Sequence, residues 1–147
     1  MPDARCLVRQ HHRLEQDQTR CANRIKHLLL SNGIKTGEKT EVISLRFIKK
    51  LQQLDCGSLY LQSPLQFAME QYLQTRRILK EITLAIRDLS KQDPFKNVQT
   101  ILQSIDGIGL INGMVIQTEI DDIHRFKRLD SLCDYAGFVP DIYSSHD

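Results

Sequence analysis

Between Leu65 and Leu89 the positions Leu65, Ala68, Tyr72, Thr75, Leu79, Ile82, Ile86 and Leu89 advance in alternating steps of three and four, and all but Thr75 are apolar or aromatic. Only a helix brings such positions onto one stripe. The charged residues Glu70, Arg76, Arg77, Lys80, Glu81, Arg87, Asp88 and Lys91 fall off it. Antiparallel pairing with the helix expected from about Asp3 to Ser31 and pairing of two chains would both bury the stripe. A homo-oligomer through Leu65–Leu89 is therefore expected, with an ordinary three-helix bundle as the alternative. Ser63 is expected to cap this helix and Pro64 to open it, because proline lacks the N–H that the first turn leaves unbonded.

The rest of the chain also reads as helical. From about Asp3 to Ser31 neither Pro nor Gly intervenes, and Asn32-Gly33 is a helix stop. Leu7, Leu14, Cys21 and Leu28 recur every seven residues, joined by Ala4 and Ile25, while His11 and Gln18 interrupt the stripe. His11 and His12 are expected on exposed helix surface, since sequence neighbours do not face the same way on a helix. A polar loop at 35–40 leads to an amphipathic run with Val42, Leu45, Phe47, Ile48, Leu51 and Leu54, and a short helix is expected from Phe95 to Ser104. The predicted class is all-α: a helical coiled coil or bundle over residues 1–92, then a helix-hairpin-helix-like segment over 93–147.

The formal charge of +2 is unevenly distributed. Arg5, Arg9, Arg13, Arg20, Arg24, Lys26 and Lys35 crowd the start, whereas Asp106, Glu119, Asp121, Asp122, Asp130, Asp134, Asp141 and Asp147 dominate the end. The early segment can attract phosphate, and Arg9, Arg13, Arg20, Arg24 and Lys26 are the candidate DNA contacts. Four cysteines, Cys6, Cys21, Cys56 and Cys133, form no C-x-x-C pair, so their spacing suggests reduced thiols and no metal site. No apolar run reaches the roughly 20 residues of a membrane span, and no secretory signal opens the chain. A cytoplasmic location is expected.

The segment Ile105-Asp106-Gly107-Ile108-Gly109-Leu110 has the layout of a helix-hairpin-helix turn. Gly107 and Gly109 permit a sharp turn with no Cβ in the way, so backbone N–H groups at the next helix start can approach a phosphate. A tight turn between packed helices fits the same residues.

That turn, followed by Glu119-Ile120-Asp121-Asp122-Ile123-His124-Arg125-Phe126, Leu132-Cys133-Asp134-Tyr135-Ala136-Gly137-Phe138-Val139-Pro140 and Tyr143-Ser144-Ser145, resembles the C-terminal transposase domain of the insertion sequence one-hundred-and-ten family. The family pattern is a proline-glycine-isoleucine-glycine turn, a glutamate-isoleucine-glycine-aspartate helix end before Arg-Phe, a tyrosine-alanine-glycine-leucine-valine-proline stretch, then Ser-Gly. Leu7-Val8-Arg9, Asp17-Gln18-Thr19-Arg20, Asn23-Arg24-Ile25-Lys26 and Leu28-Leu29 look like the family's central helical region. The resemblance to these Piv-invertase-like enzymes implies DNA recombination through a nucleophilic serine, which Ser145 matches by position, with a Mg²⁺-binding acidic set in an N-terminal RuvC-like domain and an element-encoded guide RNA as possible partner. His146 stands where the family has glycine. The acidic domain is not in this sequence, so the chain is expected to be a transposase fragment that is inactive alone, with no metal ligands of its own. Asp121 and Asp122 are expected to be solvated or capping residues. The alternative function is a non-catalytic nucleic-acid-binding regulator that pairs with a full-length transposase.

Overall fold

A computed structural model describes residues 2–34, 43–54 and 59–138. Six α-helices and one 3-10 turn make up the regular structure among them: α1 (Pro2–Ser31), α2 (Leu45–Gln52), α3 (Leu59–Ser90), α4 (Phe95–Gln103), α5 (Leu110–Ile120), the turn Ile123–Arg125 and α6 (Leu129–Ala136). The chain is all-α. The loop predicted at 35–40, Val42 and the break at 55–58 lie outside the described residues.

The first helix opens with Pro2 and carries Asp3 in its first turn, where a carboxylate meets the positive end of the helix dipole. It ends where the sequence predicts. Gly33 N donates to Leu30 O at 3.0 Å and Ile34 N to Leu29 O at 2.9 Å, the paired bonds of a Schellman stop. Ile34 then packs on the same cluster as Leu29, fastening the stop to the core.

The two long helices run antiparallel, since α1 residues 4 and 8 share a cluster with Ile86, His11 meets Thr83, and Arg24 meets Gln71. The stripe on α3 is therefore covered by α1 within the chain: Leu65, Ala68, Tyr72 and Ile86 are buried, and Thr75, Leu79, Ile82 and Leu89 half-buried. On α1 the buried positions are Ala4, Val8, His11, Leu14, Cys21, Ile25 and Leu29, with Leu7 and Leu28 at the margin. His11 departs from the expectation of an exposed surface position: only 4% of it is accessible, while His12 stays outside. The reason is a polar partner inside the seam. Thr83 Oγ1 donates its one hydrogen to Leu79 O at 2.6 Å, so at 3.0 Å from His11 Nε2 it can only accept. Nε2 is then the donor of this pair, and the buried Nδ1 makes no hydrogen bond, 3.6 Å from Glu15 Oε2.

Apolar packing parts on either side of this polar station. One cluster joins Cys21, Ile25 and Leu29 of α1 to Leu65, Met69 and Tyr72 of α3, and is closed by Ile43 with Phe47, Ile48 and Leu51 of α2. Ser44 caps α2 by accepting from Phe47 N at 3.1 Å, and Tyr72 Oη donates to Ile43 O at 2.6 Å, holding α2 to α3. The other cluster, at the opposite end, gathers Ala4, Val8, Ile86, Phe95 and Met114, so α4 and α5 share a core with the long helices. Each fully buried aliphatic side chain there contributes roughly 1.5–3 kcal/mol.

The start of α3 differs from its prediction. The helix begins at Leu59, leaving Pro64 inside it and Ser63 in mid-helix. Leu61, 6% exposed and one turn before Leu65, is the cause, because burying it requires the helix to extend back past the proline. Pro64 cannot donate to the carbonyl of Tyr60.

Candidate nucleic-acid interface

Helices α4 and α5 form a two-helix hairpin whose tip is Ile105–Gly109. Ile108 N donates to Ile105 O at 3.0 Å, and Gly107 adopts φ +89°, a conformation that a Cβ would strain. Gly109, extended at φ −81° and ψ 176°, stands at the N-cap of α5 and offers no side-chain acceptor. The first N–H groups of α5 thus meet an exposed tip without a side-chain cap, at the positive end of the helix dipole.

Buried contacts fix the angle between the two helices. A Cβ on Gly113 would lie 2.6 Å from Gln99 Oε1, so the helices approach where α5 has no side chain. Gln99 Nε2 donates to Gln117 Oε1 at 2.9 Å, Gln103 Nε2 to Gln99 Oε1 at 3.2 Å, and Gln117 Nε2 to Pro94 O at 3.4 Å. Gln99 and Gln117 are 2% and 6% exposed, so these amides would be costly if unpaired. Sequence reading missed them; three glutamines at 99, 103 and 117 around Gly113 were the available signal.

At the other end of α5, Glu119 is a junction. Its carboxylate takes both Nε and Nη2 of Arg9, at 2.7 and 2.8 Å, and lies 3.8 Å from Arg5 Nε. Its carbonyl accepts from Arg125 Nη2 and Tyr135 Oη, both at 3.2 Å. The Arg125 guanidinium also lies 4.5 and 4.6 Å from the Phe126 and Tyr135 ring centres, which places the 3-10 turn against α6. Hydrogen bonding to Arg9 holds the Glu119 carboxyl below its ordinary pKa, against a smaller opposing effect of burial, and raises that of Arg9. Arg5 Nε donates to Thr118 O at 2.8 Å, putting a cation at the negative end of α5.

The basic residues singled out on α1 are thus partly engaged. Arg9, Arg13, Arg20 and Arg24 fall within about 60° of one another on the helix, since successive residues turn by about 100°. Arg9 grips Glu119, Arg20 pairs with Asp17 at 2.9 Å, and Arg24 bonds Gln71. Arg13 and Arg20 lie on exposed surface, and Lys26 is half-buried. Among the described residues nothing brings this stripe together with Gly107 and Gly109, which belong to the opposite end of the hairpin from Glu119. Ser145 lies outside the described residues.

Asp122 caps the 3-10 turn, accepting from His124 N at 2.9 Å. Asp121 closes α5 at φ +60° and ψ −92° and lies 3.5 Å from Arg5 Nη2. Both are the capping residues expected. The positive φ falls where the resembled pattern carries glycine, a mismatch that could have flagged the strain. Among the described residues no three His, Cys, Asp or Glu side chains come close enough together to hold a metal ion, so they do not fit the Mg²⁺ that the resemblance implies. Also among the described residues, no helix is long and apolar enough to cross a membrane.

No curated protein and no solved structure matches the chain. A family model does, from Gln99 on α4 through the hairpin, the Glu119 junction and α6 to Asp147. Residues 99–147, a third of the chain, are thus similar to the Transposase IS116/IS110/IS902 family.

Proposed function

We propose that the chain is the nucleic-acid-binding part of a transposase, and that the tip of the α4–α5 hairpin sets backbone N–H groups against a phosphate. The observation that carries this reading is the uncapped start of α5 at Gly109, within the segment that matches a transposase family. DNA is the substrate class that a transposase implies. Exposed cations on α1, Arg13 and Arg20 foremost, would add electrostatic attraction without base recognition. Strand chemistry through Ser145, with Mg²⁺ held by an acidic set and with a guide RNA, is proposed from the resemblance alone. Self-association through Leu65–Leu89 would have to displace α1 from the stripe it now covers.

Gly109→Asp tests the hairpin contact. A Cβ at Gly109 meets nothing within 4 Å, and its backbone suits any residue, so the variant folds; an aspartate there caps α5. Binding of a fluorescently labelled DNA duplex should weaken while the thermal midpoint holds or rises. Unaltered binding in this variant would remove the hairpin tip from the interface.

A further inference from the structure

The eight-residue α2 covers one face of α3 only as far as its own length reaches. Beyond it the same face carries Leu73, Arg76, Lys80, Leu84 and Arg87, all partly or fully exposed. Arg76, Lys80 and Arg87 lie within about 40° of one another and span about 16 Å along the axis. Two open grooves meet at Arg87: one of about 610 Å³ that includes Arg76, Arg77 and Lys80, and one of about 650 Å³ that includes Lys91 and Lys96. Among the described residues no carboxylate lines either groove.

Internal pairing leaves most of this charge unsatisfied. Among the described residues Arg76, Lys80, Arg87 and Lys96 have no ion pair, whereas Arg77 approaches Glu81 at 3.9 Å and Lys91 approaches Asp88 at 3.6 Å, both exposed and therefore weak. Lys96 sits in the first turn of α4, where the helix dipole disfavours a cation. Such a placement is stabilised by an anion that both the lysine and the helix end can face.

From this geometry we infer that the α3 face from Arg76 to Lys91, continued by Lys96, is a track for the phosphate backbone of a nucleic-acid duplex. The inference rests on the nucleic-acid reading above and assigns it a second surface. A row about 16 Å long is enough to meet more than one phosphate of a duplex backbone. The track carries no aromatic side chain on which unstacked bases could lie, which favours a duplex over a single strand. Leu110 and Ser104 line the second groove, so the track runs up to the tip of the α4–α5 hairpin.

The experiment measures binding of labelled DNA and RNA duplexes to the full chain over a series of salt concentrations, for wild type, Arg87→Gln/Lys91→Gln and Arg76→Gln/Lys80→Gln. Circular dichroism checks each fold. Each pair should lower the slope of log affinity against log salt by about 1.8, at about 0.9 per lost phosphate contact. Arg13→Gln/Arg20→Gln serves as the comparison on α1. A DNA duplex bound more tightly than RNA, or the reverse, identifies which backbone the track prefers. Duplex binding with unchanged slopes in both α3 pairs overturns the track and leaves the hairpin reading standing. Lowered slopes with Gly109→Asp unaltered keep the track and sink the hairpin contact. A wild-type chain that binds neither duplex sinks both, and a poly-glutamate peptide bound more tightly than either duplex gives the face to an acidic protein partner instead.

Discussion

Arg9 and Glu119, separated by 110 residues of sequence, meet in a two-pronged pair, Nε to Oε1 at 2.7 Å and Nη2 to Oε2 at 2.8 Å. The pair fastens α1 to the end of α5, and through the Glu119 carbonyl to Arg125 and Tyr135. An arginine that sequence assigns to DNA is thereby held in an internal clamp.

This clamp gives a pH dependence of known sign. The Glu119 carboxyl is depressed in the folded chain, so its contribution is present above the unfolded value, ordinarily 4.5, and is lost as pH falls through the lower folded value. Wild type should be more stable than Glu119→Gln near neutrality, with the difference shrinking on acidification. Thermal melts of both proteins across the acid range test this. A difference that stays constant would show that the carboxylate charge is not what Arg9 holds.

Asp121→Gly should stabilise the fold. A non-glycine residue at φ +60° and ψ −92° costs about 1–3 kcal/mol, whereas the exposed pairing with Arg5 is worth at most about 1 kcal/mol. The expected net gain is about 1 kcal/mol by denaturant unfolding, and a loss would mean that the Arg5 contact outweighs the strain.

Gly113→Ala should do the opposite. Alanine is the better helix former by about 0.5–1 kcal/mol, but its methyl would push Gln99 off a buried amide pairing, an overpacking effect of about 1–3 kcal/mol. The variant should lose about 1 kcal/mol. Coupling to Gln99→Ala in a double-mutant cycle distinguishes this clash from a general helix effect, since only the clash is relieved when the amide is removed.

His11→Leu combined with Thr83→Val should leave stability unchanged or raised. The imidazole leaves Nδ1 buried and unbonded, and replacing both partners by apolar groups removes that penalty. His11→Leu alone should be less favourable, because it leaves the Thr83 hydroxyl facing a leucine. With Thr83→Val alone completing the cycle, additive effects of the two single changes would show that the pair is not coupled.

Much of this architecture was legible in the residues. The Leu65–Leu89 stripe and the Asn32-Gly33 stop are local signals, written in helical spacing and turn chemistry; the stop appears as read, and the stripe lies on one helix face, covered by α1 of the same chain. The burial of His11 was not legible, because a histidine in a stripe reads as an interruption until Thr83, on another helix, supplies its partner. Leu61 hid behind Pro64, whose usual place is a first turn. At the candidate site, Gly107 and Gly109 announced the turn, and Asp121 and Asp122 their capping roles. The amide pairing of Gln99 with Gln117 and the Arg9 clamp join distant side chains, and no short window of sequence shows which charge will be answered from across the fold.

The parting of the apolar core around His11 has a mechanical side. Among the described residues the cluster near α2 is the larger, and the one that seats α4 and α5 is the smaller. Local opening should therefore begin at the end of the molecule that carries the hairpin, with the far end still closed. Opening there must also break the Arg9–Glu119 clamp, while the end of the long helices that α2 closes keeps the larger cluster.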